Sequence, residues 1–164
     1  MNSKKLFIWG FLFVSVIGSL LHFVYEWSGN NSIVRLFAPW NESTWEHMKL
    51  LFFPMLVLVL FLFFKLPEQS PIPVALSIGT LVGLALIPIL FYTYTDVLGF
   101  SVMAIDIAIF YISVLGVFLT GWFLKDNRKL ANRNGLLLTC LVILAILFFI
   151  FSYYPPEIGL FQEP

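Results

Sequence analysis

Five apolar runs, at residues 6–27, 46–64, 72–93, 98–124 and 135–153, take up most of this chain, and the connections between them are too short to build a separate soluble unit. Each run is close to the roughly 20 helical residues needed to cross a hydrocarbon layer of about 30 Å. Only 11% of the 164 residues are charged, where a soluble domain carries about 25%. One aqueous core cannot hide that much apolar surface. The chain is therefore expected to be an all-α integral membrane protein, a single transmembrane domain over residues 1–164 folded as a bundle of five helices. The first run follows Lys4 and Lys5 as a secretory signal would, but its length and the lack of a small-x-small cleavage site mark it as a retained helix. The single cysteine, Cys140, lies inside the fifth run and has no partner for an intrachain disulfide.

Five spans put the two termini on opposite sides of the bilayer. With the N-terminus in the cytoplasm, Lys4, Lys5, Lys65, Lys125, Arg128, Lys129 and Arg133 fall on the cytoplasmic side, against Arg35 and Lys49 outside. That is the bias membrane insertion favours, and it makes the C-terminus extracytoplasmic. Glu26, Glu42, Glu46, Asp96, Asp106, Glu157 and Glu163 then gather toward the outer half, which leaves Glu68 and Asp126 within.

The polar residues of the outer half carry the candidate chemistry. Ser15, Ser19, His22 and Glu26 are spaced by four, three and four, so they share one face of the first helix. Imidazole and carboxylate groups inside a span face the bundle interior or a wet cavity, and they are a functional hypothesis by default. In "NESTWEHMK", Ser43 and Glu46 have the spacing of a capping box. That device accounts for neither Asn41, Glu42 nor His47, and Lys49 lies within pairing distance of Glu46. Asp106, read as about 8 residues into the fourth run or roughly 12 Å deep, needs a partner such as His22, Lys49 or a metal. The expected catalytic set is His22, Glu26, Glu42, Glu46, His47 and Asp106. Of these, His22, His47 and Asp106 form the candidate ligands of zinc or another divalent cation. Trp27, Asn41, Trp45, Lys49, Tyr92 and Tyr94, together with Trp40, are the expected substrate-binding wall. No H-E-x-x-H or E-x-x-H spacing is present, so a metal is argued from residue types alone.

The segments "HFVYEWSG", "FAPWNESTWEHMKLLFFP" and "YYPPEIGLFQEP" resemble the signature segments of a family of small five-helix bacterial membrane proteins that carries only a domain-of-unknown-function label. The resemblance spans the chain and implies a bacterial cell-membrane protein; it implies no activity. Three functional classes follow from the residues. The first is an enzyme, a hydrolase or transferase, that activates water against a lipid-like or lipid-linked substrate at the extracytoplasmic leaflet. The second is a transporter or ligand-binding protein using the same acidic pocket for a proton, a cation or a small amphipathic ligand. The third is an assembly subunit, supported only by the small-residue spacing of Gly79 and Gly83 in "GTLVG". Phosphate loops, dinucleotide fingerprints and a basic nucleic-acid surface are lacking, so the expected partners are membrane lipid and small molecules, with no nucleic acid.

Overall fold

Asn2 begins the first helix by accepting the Lys4 backbone N–H at 3.0 Å through its side chain, which satisfies one of the amides a helix start leaves free. From there α1 spans Ser3–Trp27, α2 Thr44–Lys65, α3 Ile72–Leu98, α4 Met103–Leu124 and α5 Asn134–Tyr153. Short 3₁₀ turns at Val34–Leu36, Arg128–Arg133 and Gly159–Phe161 lie between or after them. This computed structural model describes residues 2–163, and no strand occurs among them. All five helices are long and apolar enough to cross a membrane. Their outer faces expose large side chains such as Trp9, Phe64 and Phe123, an arrangement that suits lipid and that water would penalise. The chain is a multi-pass membrane protein.

Two boundaries, both at the α3–α4 connection, differ from the sequence expectation by more than three residues. α3 continues past residue 93 to Leu98, because the Thr93 and Thr95 hydroxyls bond back to the Ile89 and Phe91 carbonyls and keep this polar stretch helical. Gly99, at φ 78°, then supplies the left-handed residue that closes the helix, its N–H on the Thr95 carbonyl. α4 consequently starts at Met103 and not at residue 98, which moves Asp106 from mid-span into the helix's first turn.

α3 and α4 pack through small residues. A Cβ added to Gly79 would stand 2.3 Å from the Val117 carbonyl oxygen, and one on Gly83 would stand 3.0 Å from that of Ser113. The two backbones therefore approach as closely as glycine permits. The "GTLVG" pair is used within the chain and leaves no free glycine face for a partner, so the assembly reading loses its one support.

The helices alternate in direction, and one end of the bundle collects the loops that matter. There the Tyr153 hydroxyl donates to the Ser32 carbonyl at 2.6 Å, the Thr44 hydroxyl reaches Tyr92 at 3.5 Å, and Tyr94 donates to Asp106. At the opposite end Phe7 packs edge-on against Phe118 and Trp122, and Leu76 covers Gly121.

Candidate functional site

The first turn of α2 deals its polar side chains to two faces. Ser43 caps the helix, its hydroxyl accepting the Glu46 backbone N–H at 3.4 Å. The reciprocal half of the expected capping box is missing. Asn41 takes that part: its Oδ1 accepts both the Ser43 backbone N–H, at 3.1 Å, and the Ser43 hydroxyl, at 2.8 Å. The Glu46 carboxylate is thereby free to turn inward.

Inward it meets Lys49, three residues on and the same side of the helix. Glu46 is 2% exposed and Lys49 0%. The ammonium donates to Glu46 Oε2 at 2.6 Å, to Ser152 Oγ of α5 at 2.5 Å and to the Arg35 carbonyl at 2.9 Å, which uses all three of its protons. Ser152 shares its own proton between Glu46 Oε1 at 3.2 Å and the Phe148 carbonyl at 2.8 Å. Trp40 adds a backbone N–H to Glu46 Oε2 at 3.4 Å. Arg35 closes the arrangement from outside, donating to the Ser152 carbonyl at 2.5 Å while its guanidinium lies 3.7 Å over the Trp40 ring and 4.9 Å over Tyr153. Glu46 and Lys49 thus belong, with both of their charged heads fully bonded, to a network that ties the α1–α2 loop to α2 and α5, in which the Arg35 Nε keeps no partner. Neither has a free atom to offer a substrate.

The other face of the same turn points toward α1. His47 donates from Nδ1 to the Ser43 carbonyl at 3.1 Å, because a carbonyl can only accept, and this leaves Nε2 facing Glu42 Oε2 at 3.3 Å. Nε2 donates there when the ring is protonated and offers a lone pair when it is neutral. His22 reaches this point from α1, its ring 5.4 Å from that of His47 with the planes 30° apart. Its Nδ1 is shut away from solvent and has no hydrogen-bond partner. One ligand atom each from His22, Glu42 and His47 lie within 4.8 Å of one another. The hydrogen bond from His47, aided by the charges of His47 and His22, holds the Glu42 carboxyl below its ordinary pKa against the opposing effect of partial burial. Beside the group lies a cavity of about 110 Å³ lined by His22, Phe23, Glu26, Trp40, Asn41 and Glu42 among others.

The remaining candidates divide accordingly. Glu26 is exposed and lines this cavity one turn beyond His22. Asp106 accepts the Tyr94 hydroxyl, which in turn accepts the Val102 N–H at 3.1 Å, and so it closes the α3–α4 turn. The carboxylate that joins the two imidazoles is Glu42 instead. The reason is the shifted start of α4, which sets Asp106 beside Tyr94 at the helix end. Tyr92 lines a separate open groove with Phe91, Asp96 and Phe100. Trp27 stacks on Phe23 at the exposed end of α1. Trp45 is a core residue, packed against Phe148 of α5 at 4.5 Å and Phe161 of the tail at 4.9 Å.

Sequence reasoning missed Arg35 and Ser152 as members of the buried network. Ser152 carried a signal, as the one serine in "FFIFSYY" at the end of an apolar run. Arg35 carried none beyond its charge.

No curated protein and no solved structure matches this chain. A family model does, one described as a family of unknown function (DUF6512). It matches residues 1–164, and the chain belongs to that family.

Proposed function

We propose that this protein is a membrane-embedded hydrolase or transferase that activates water against a lipid-like or lipid-linked substrate at the extracytoplasmic leaflet of a bacterial cell membrane. The observation that carries the reading is the meeting of His22, Glu42 and His47, within 4.8 Å, at a cavity on the end of the bundle where headgroups lie. Two imidazoles and two carboxylates, Glu26 included, provide the complementary proton acceptors and donors that general acid and base chemistry needs. The cavity, about 110 Å³, has room for several waters or a small polar headgroup, while acyl chains would lie outside it. Those chains have the exposed Phe23–Trp27 stack beside it to lie along.

Placement on the outer leaflet is supported by the Lys and Arg residues at the opposite end, Lys125 to Arg133 above all. A transport path has less support. Below the site the buried polar groups are hydroxyls, Ser15, Ser77, Thr80 and Ser113, and no carboxylate, imidazole or ammonium occupies the middle of any span.

The test uses the full chain in vesicles of phosphatidylethanolamine and phosphatidylglycerol containing a polyprenyl diphosphate. Mass spectrometry should find released fatty acid, headgroup or phosphate with the wild type and none with His22→Ala or His47→Ala. Wild-type vesicles that release none of these, or that accumulate cations instead, refute the enzyme reading. For sidedness, Glu42→Cys in a Cys140→Ala background should react with an impermeant maleimide on intact cells, while Lys129→Cys should not; the reverse pattern refutes the outer placement.

A further inference from the structure

We infer that His22, Glu42 and His47 form a binding site for a divalent cation of the zinc class, with one coordination position left open to the cavity. The inference deepens the hydrolase reading above by naming its cofactor, and its geometry stands without that reading.

Three observations point to a metal. First, the donor set is two imidazoles and one carboxylate, a combination found in hydrolytic zinc sites that keep a fourth position for water. Second, the spacing fits a tetrahedral ion. Ligand atoms about 2.1 Å from a common centre lie about 3.4 Å apart, and His47 Nε2 and Glu42 Oε2 are 3.3 Å apart. Two imidazoles on such an ion have ring centres about 5.2 Å apart, and those of His22 and His47 are separated by 5.4 Å. Third, the surroundings supply what a ligand histidine requires. The His47 Nδ1–H is anchored on the Ser43 carbonyl, which fixes the tautomer whose Nε2 lone pair faces the site. His22 keeps a solvent-shielded Nδ1 with no partner in the protein, a cost that a structural histidine ordinarily avoids.

The local fold explains how the three arrive. His47 is held by the α2 cap, His22 sits on the face of α1 directed at that cap, and Glu42 belongs to the short connection whose Asn41 side chain locks Ser43. Glu42 and His47 are therefore both set by the Asn41–Ser43 cap that starts α2. The third comes from a different helix, so an ion here would also fasten α1 to α2.

The test needs no substrate. The full chain, purified in detergent, is loaded with Zn(II), or with Co(II) as a spectroscopic substitute, and desalted. Metal content should be about one equivalent, and the cobalt form should show the intense visible bands of a four-coordinate ion. Glu42→Gln, an exposed position whose change leaves the helices untouched, should weaken binding 10-fold or more, and His22→Ala and His47→Ala should abolish it. Asp126→Asn, at the far end, should bind as the wild type does. Wild-type protein that retains no metal, or metal that persists unchanged in Glu42→Gln and His47→Ala together, overturns the site. One bound equivalent with no lipid product keeps the site and ends the hydrolase reading, whereas lipid turnover by protein that retains no metal after loading ends the site alone.

Discussion

Replacing Lys49 by Met should be the most damaging single change at this end of the bundle, and the network gives the magnitude. Met fills the lysine stem but removes the ammonium, so Glu46, 2% exposed, keeps only the Trp40 N–H at 3.4 Å and the Ser152 hydroxyl at 3.2 Å. Two long, neutral donors do not compensate a buried carboxylate. Breaking a buried pair by removing one partner costs about 3–5 kcal/mol. The double variant Glu46→Gln/Lys49→Met leaves no charge behind; its amide oxygen can accept the Trp40 N–H while its NH2 donates to the Ser152 oxygen that the ammonium vacates, so it should fall within about 1.5 kcal/mol of the wild type. The coupling between the two sites is then about 2 kcal/mol or more. Unfolding in mixed micelles of a mild detergent and dodecyl sulfate measures this, followed by near-ultraviolet circular dichroism of the Trp45–Phe148–Phe161 packing. A Lys49→Met cost below about 1 kcal/mol, or a double variant whose loss is the sum of the single ones, would refute the claim that the pair is a coupled structural unit.

Three further outcomes follow from the same structure. Gly79→Ala should cost about 1–3 kcal/mol by forcing α3 and α4 apart, since its Cβ would meet the Val117 carbonyl oxygen at 2.3 Å; an unchanged dodecyl sulfate midpoint would contradict the close approach. Tyr94→Phe strands the Val102 N–H and releases Asp106, so hydrogen exchange at the α3–α4 turn should accelerate, with a loss of about 1–2 kcal/mol. Glu42 has a depressed pKa in the folded chain, chiefly through its hydrogen bond with His47. The stability it contributes is therefore complete above the ordinary carboxylate pKa of about 4.3 and is lost as pH falls through the lower folded value. Unfolding midpoints taken downward from pH 6 should decline in that acid range, and Glu42→Gln should remove part of the decline; superimposable profiles would count against the pairing. At 67% side-chain exposure solvent screening keeps the effect small.

The five spans could be read directly because length and hydropathy are properties of a segment alone. The same holds for the face shared by Ser15, Ser19, His22 and Glu26, which is fixed by helical spacing. What could not be read depended on single backbone events or on distant partners. Gly99 takes a left-handed conformation that five residues of polar, β-branched sequence before it do not announce, and this one residue relocated Asp106 to a helix end. The fate of Lys49 depends on Ser152, 103 positions away, and no local pattern encodes that distance. Glu46 matched a capping box in every local respect, yet its carboxylate is drawn to an ammonium that binds it more strongly than a backbone amide can.

His47 and Glu46 are neighbours in sequence, and the physical division between binding chemistry and scaffolding runs between them. A helix turns about 100° per residue, so adjacent side chains at the start of α2 face different helices. Glu46 and Lys49 face α5, where Glu46, Ser152 and the Arg35 carbonyl together satisfy the three protons of the ammonium. Ser43 and His47 lie on the other side, toward α1, where His22 keeps an unpartnered nitrogen and Glu42 stays mostly exposed. The fully bonded Glu46–Lys49 pair holds the fold, whereas the unpartnered His22 nitrogen lies beside a cavity that a ligand can enter. The buried pair has a second consequence for the imidazole group: by clamping the Arg35–Trp40 segment onto α2 and α5, it fixes the loop that delivers Glu42. Lys49→Met should therefore weaken metal binding at a site that Lys49 does not touch, and Glu46→Gln/Lys49→Met should restore it along with stability. If the double variant regains stability while binding stays lost, the loop is not what positions Glu42, and the two faces of α2 act independently.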